Sequence, residues 1–149
     1  FMGSSLYGFT QREWVDGTKD VLEEISPASG SVVVVTPSPK LGFNGIACLS
    51  EREYQPEWFP FRKRCASPLD AKKNNEVSYF LREAASSFPN THVIEMTHAV
   101  CPDNVCQAKR DGQIVFRDGV HLTASFVRSL VPLWRQNLRE TGVASPPDE

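Results

Sequence analysis

No stretch of this sequence approaches the roughly 20 apolar residues that a membrane-spanning helix needs, and its first residues lack the basic-then-apolar build of a secretion signal. Positive charge is not in surplus either: the 149 residues carry a formal net charge of -2 and a pI near 6.0. Without a broad positive field nothing releases counterions from a phosphate backbone, which sets nucleic acid aside as a partner. No G-x-G-x-x-G loop follows a run of β-formers, so a flavodoxin-like cofactor binder is disfavoured and no cofactor is expected. There is no C-x-x-C, no H-x-x-x-H and no internal repeat. What remains is a chain with 40% hydrophobic and 23% charged residues, enough for one globular domain with a real core. Its abrupt opening, "FMGSSLYGF", reads as a buried strand with its exit loop and suggests a piece of something longer.

Four cysteines form an even set: Cys48, Cys65, Cys101 and Cys106. Pairing Cys48 with Cys65 and Cys101 with Cys106 is the simplest of the three possible connectivities, and it implies an oxidising compartment. The alternatives are free buried thiols and a zinc site using His98, Cys101 and Cys106. The latter lacks a fourth ligand at short spacing.

Along the chain, β and α signals alternate. "QREWVDGTKDVLEEI" places Trp14, Val15, Thr18, Val21, Leu22 and Ile25 on one helical face, with Gly17 a weak point. "SVVVVTP" is a fully apolar β-branched run, expected as a strand of a parallel sheet covered on both faces. Residues 38–70 form a long excursion without sustained periodicity, carrying the basic cluster "FRKRC" and the aromatics Tyr54, Trp58, Phe59 and Phe61. A loop of that length needs a function or a staple. A Cys48 to Cys65 bridge would contribute about 3 kcal/mol by the chain-entropy effect. The basic cluster reads first as solvated surface and second as a substrate contact. For the aromatics the alternatives are packing the loop down and stacking on sugars.

Asp70 is placed to cap a second helix over 71–88, with Val77, Phe80 or Leu81, Ala84 and Phe88 recurring at three and four. "THVIEM" reads as a strand, "CPDNVC" and "KRDGQ" as turns, and "QIVFRD" as a short strand. A final helix repeats Leu122, Phe126, Leu130, Leu133 or Trp134, and Leu138, and Pro132 should kink or break it. Residues 142–149 read as a flexible tail, leaving 1–141 as the domain. The alternation argues for an α/β fold, a three-layer sandwich around a parallel sheet, with reactive groups where strand-to-helix loops gather.

One such loop is "RDGVHLTASF". With two residues between them, Asp118 and His121 can fold back within one turn, so that the carboxylate accepts from the imidazole Nδ1–H while Nε2 stays available. That makes a base oriented for a serine proton, the division of labour in hydrolytic triads. Helix N-terminal placement would by itself disfavour an imidazolium, and Asp118 offsets that. An arbitrary D-x-x-H is more often a turn aspartate beside a surface histidine. The flanking strand, the Leu-Thr that follows and the amphipathic helix beyond favour the catalytic pair.

"RDGVHLTASF", with "CPDNVC" and "CLSEREYQPEWFPFRKRC", resembles the extracytoplasmic SGNH hydrolase-like domain fused to membrane acyltransferases that O-acetylate bacterial surface polysaccharides. The resemblance runs from about "SVVVV" to the end of the last helix. It implies a flavodoxin-like sandwich, incomplete at its N-terminus here, and acyl transfer through a serine ester with Asp118 and His121 matching the family's last motif. It also implies a carbohydrate or acyl-ester substrate, a membrane acyltransferase domain in the parent protein, and a periplasmic or extracellular location tethered to the membrane. The departure is the nucleophile: the family's Gly-Asp-Ser does not occur. "MGSSLYG" has Ser4 in place of the Asp and would make Ser5 the nucleophile, but "FMGSSLYGF" reads better as a middle strand near an oxyanion-hole residue. Gly3, Asn44 and Asn104 are faint candidates for that hole. Two functions follow, an esterase or O-acyltransferase and a non-catalytic carbohydrate-binding or interaction domain.

Overall fold

The computed structural model describes residues 9–60 and 62–143, with backbone alone at 71–75. In chain order the elements are α1 (Gln11–Ile25), β1 (Val32–Val35), α2 (Gly45–Glu53), β2 (Ala66–Pro68), α3 (Ala71–Ala85), β3 (Thr91–Ile94), α4 (Thr97–Val100), β4 (Val105–Gln107), β5 (Lys109–Arg110), β6 (Gln113–Ile114), α5 (Ala124–Ser129) and α6 (Val131–Glu140). Helices and a small parallel strand pair make the chain an α/β protein. It divides into two compact units. One holds residues up to Pro37, Ala71–Glu95 and residues from Gln136 on, and the other holds Ser38–Asp70 and Met96–Arg135.

In the first unit β1 and β3 run parallel, in register from Val32 opposite Thr91 to Val35 opposite Ile94. Helix α1 begins in a capping box. The Thr10 side chain accepts from the Glu13 N–H, and the Glu13 carboxylate takes the Thr10 N–H at 2.7 Å. Those bonds from Thr10 also hold the Glu13 carboxyl below its usual range. Val15 packs with Phe80 and Ala84 of α3, with Trp14 at the margin. Asn90 closes the turn after α1, its Nδ2 donating to the Ser26 and Ser29 carbonyls at 3.0 Å each.

The expected apolar face of α1 is only half realised. Val15 and Leu22 are buried, but Val21 is 58% exposed and Ile25 42%, and with Phe9 and Val32–Val34 they line an open apolar trough. The strand expectation is corrected in the same way: Val32–Val34 are half-buried and Val35 is exposed, because β3 is the only strand paired with β1 among the described residues.

The second unit is closed around Leu41, Cys65, Val100, Cys101, Cys106, Ala108, Val115, Phe116 and Phe126, all buried. Burying Phe116 and Val115 completely is worth about 1.5–3 kcal/mol each. Strands β2 and β4 pair antiparallel, and β5 and β6 form a hairpin whose turn residues Asp111 and Gly112 both have positive φ, as a two-residue primed turn requires. The side chain of Arg110 fastens this hairpin, donating to the Val100 and Ala99 carbonyls at 3.1 and 2.8 Å with its guanidinium 5.3 Å from the Phe126 ring centre.

Two sequence expectations are revised here and a third is met. The excursion contains a nine-residue helix, α2, capped by Asn44. "QIVFRD" is no continuous strand, since β6 ends at Ile114 and only an isolated bridge from Phe116 to Leu122 follows. The long last helix is two helices meeting at Leu130, with Pro132 in the first turn of the second, so the proline acts as the expected break.

Candidate active site

Residues 116–123 form a tight closed loop. Phe116 bridges Leu122, the Arg117 N–H donates to the His121 carbonyl at 2.8 Å, and the Thr123 N–H donates to the Val115 carbonyl at 2.9 Å. Thr123 then starts α5, accepting from the Phe126 N–H while its hydroxyl donates to the Ile114 carbonyl at 2.5 Å. His121 therefore precedes the helix cap by two residues and does not sit in the helix itself. The aspartate folds the loop: Asp118 Oδ1 accepts from the backbone N–H groups of Val120 and His121 at 2.8 and 2.7 Å. Its other oxygen, Oδ2, lies 2.8 Å from His121 Nδ1.

The structure thus brings the two sequence candidates together, with one carboxylate oxygen serving the backbone and the other the imidazole. The Val120 N–H, then the His121 N–H and then the imidazole hold the Asp118 carboxyl far below the usual carboxylate range. Arg117 adds a cation 3.8 Å from Oδ2. A permanent carboxylate on Nδ1 selects the tautomer whose proton sits on Nδ1, which leaves Nε2 as an acceptor. The His121 side chain is 63% exposed.

A segment in which the sequence offered only Asn44 as a faint candidate supports the loop. Leu41 N–H donates to the Gly119 carbonyl at 2.9 Å, and Gly45 N–H reaches the Asp118 carbonyl at 3.4 Å. Both glycines are flush with backbone. A Cβ on Gly119 would lie 3.1 Å from the Phe43 carbonyl oxygen, and one on Gly45 2.9 Å from that of Phe116. Ser67 Oγ donates to the Leu41 carbonyl at 2.6 Å, and Cys48, in α2, is bonded to Cys65 just before β2. The second bridge, Cys101 to Cys106, uses the two sulfurs of the zinc alternative, so neither bridge leaves a thiolate to bind metal. The expected cysteine pairing holds.

Ser5, Gly3 and Phe61 lie outside the described residues. Asn44 Oδ1 accepts from the Ala47 N–H as the cap of α2, and Asn104 sits at positive φ in the turn between the paired cysteines. Tyr54 and Trp58 are 88% and 81% exposed, so they do not pack the excursion onto the body. Between α2 and residues 63–66 opens a cleft of about 410 Å³, lined by Phe43, Asn44, Ala47, Glu51, Lys63 and Arg64.

Residues 3–136 match the family model described as the SGNH domain (fused to AT3 domains). The chain belongs to this family. That membership gives the SGNH chain its broad role, acyl-transfer or esterase-related chemistry, in a family whose domains are described as fused to AT3 domains. No curated protein and no solved structure matches the chain.

Proposed function

We propose that this SGNH domain moves an acyl group to or from a cell-surface carbohydrate through an acyl-serine intermediate, with His121 as general base and Asp118 as its orienting carboxylate. The observation that carries the proposal is the 2.8 Å contact between Asp118 Oδ2 and His121 Nδ1 on an exposed imidazole. In the first half-reaction His121 Nε2 takes the proton of a serine hydroxyl as its oxygen bonds to the ester carbonyl carbon. The tetrahedral intermediate then expels the alcohol, which leaves with that proton. In the second half-reaction an acceptor hydroxyl attacks the acyl-serine under the same base, and water in its place gives hydrolysis. The family's Gly-Asp-Ser does not occur in this sequence, and Ser5 is only a faint candidate for that serine.

The carbohydrate part of the proposal draws support from the exposed Tyr54 and Trp58, whose ring faces suit sugar stacking. Two disulfides support an oxidising, extracytoplasmic location on a membrane-tethered parent. We take residues 1–141 as the SGNH unit, a portion of a three-layer flavodoxin-like sandwich whose parallel pair β1–β3 belongs to a larger sheet, and 142–149 as its tail.

The second reading, a non-catalytic carbohydrate-binding SGNH relative, is favoured by the same exposed aromatics together with the missing Gly-Asp-Ser. Acetate release from p-nitrophenyl acetate by the full-length protein separates the two. The enzyme reading expects a clear loss in His121→Ala, and equal activity of variant and wild type would leave only the binding reading.

A further inference from the structure

We propose that Leu41–Gly45 is the seat of the Asp118–His121 loop and that Gly119 is a positioning residue for catalysis. This rests on His121 acting as the base. The seat meets the loop along its backbone: Leu41 N–H holds the Gly119 carbonyl at 2.9 Å, Gly45 N–H approaches the Asp118 carbonyl at 3.4 Å, and the Phe43 carbonyl fills the space a side chain on Gly119 would need. Gly119 lies between the carboxylate and the imidazole in sequence, so any shift of its backbone changes the spacing of the very N–H groups and oxygen that orient His121.

The seat is fixed from behind. Ser67 Oγ holds the Leu41 carbonyl, and Leu41 is itself completely buried. The Cys48–Cys65 bridge ties the first turns of α2, immediately after the seat, to the segment entering β2, and the Cys65 carbonyl accepts from the Ala108 N–H at 2.9 Å. The long excursion thereby gains a task that needs no side chain in the reaction: it sets where the Asp118 carboxylate stands.

A methyl group on Gly119 would start 3.1 Å from a backbone oxygen, a contact the loop relieves only by moving a few tenths of an ångström or more. Misplacement of about 1 Å costs up to about 100-fold in rate. The test compares Gly119→Ala with wild type and with Gly17→Ala, where an added Cβ meets nothing within 4 Å. It measures kcat and KM on p-nitrophenyl acetate, thermal melting, and the downfield proton NMR signal of a carboxylate-bonded imidazole Nδ1–H.

The expected result is a fall in kcat of about tenfold or more, KM little changed, and a shifted or lost imidazole signal, with Gly17→Ala like wild type in all three. Unchanged kcat with the imidazole signal intact would overturn the proposal. Should Gly119→Ala fail to fold, Ser67→Ala decides. It removes one bond behind the seat and adds no bulk, so a few-fold lower kcat with unaltered KM supports the seat and an unaltered kcat refutes it. If His121→Ala is as active as wild type, the base role has failed, while the NMR signal still judges the seat on its own.

Discussion

Replacing Asp118 with asparagine separates the two tasks of its carboxylate. The oxygen that receives the Val120 and His121 N–H groups, at 2.8 and 2.7 Å, survives as the amide carbonyl, so the loop keeps its fold. The oxygen 2.8 Å from His121 Nδ1 becomes an NH2 group. A donor there opposes the Nδ1 proton and favours the other tautomer, which places the proton on Nε2 and removes the base. Rotating the amide by half a turn is no escape, because the NH2 would then face two backbone donors. The expected outcome in the full-length protein is a drop in kcat/KM on p-nitrophenyl acetate of about 10²–10⁴-fold, the range general-base catalysis supplies. Melting should shift by no more than about 3 °C. An asparagine variant retaining activity within about threefold of wild type would refute the tautomer argument, because no other group among the described residues is placed to accept from Nδ1–H.

Opening the Cys48–Cys65 bridge with paired alanines releases a loop with a sequence separation of 17 and should cost about 3 kcal/mol in urea unfolding, whereas the separation of 5 at Cys101–Cys106 is worth about 2. Equal losses below 1 kcal/mol would contradict the staple role. Phe116→Ala, at a fully buried site, should cost about 3–5 kcal/mol in the same assay, and a loss under 1 kcal/mol would mean the second unit's core collapses around the gap. With its folded value held below the usual range, the Asp118 carboxyl stabilises the fold above its unfolded value of about 3.9, and that contribution is lost as pH falls through the folded value. The stability gap between wild type and Asp118→Asn should therefore be flat above about pH 5 and narrow only in stronger acid. A gap that already closes between about pH 7 and pH 5 would show a carboxyl that titrates high.

Much of this was legible because the information is local. The apolar periodicity of α1, the β-branched run of β1 and the D-G turn between β5 and β6 all act within a few residues. So does the pairing itself: an aspartate accepting from N–H groups two and three residues on turns its second oxygen toward the histidine, although the seat that fixes the loop lies elsewhere in the chain. Cysteine spacing gave the two bridges for the same reason.

What escaped notice depends on distant partners. Helix α2 has no sustained apolar stripe: Gly45 is its one buried residue, and the bridge from Cys48 together with half-buried Cys48 and Leu49 against the second unit's core anchors it. The close approaches at Gly45 and Gly119 involve backbone from elsewhere in the chain, and the only trace in sequence is glycine itself. Exposure was misjudged at Val21, Ile25 and Val35 because periodicity names a face without saying how much of it is covered.

The most direct test of the central claim is covalent labelling of the full-length protein with a fluorophosphonate, in which a serine oxygen bonds to phosphorus and fluoride leaves, followed by peptide mapping. A His121 base held by Asp118 predicts one modified serine, labelled far more slowly in His121→Ala and in Asp118→Asn. No modified serine, or equal labelling rates in all three proteins, would contradict it.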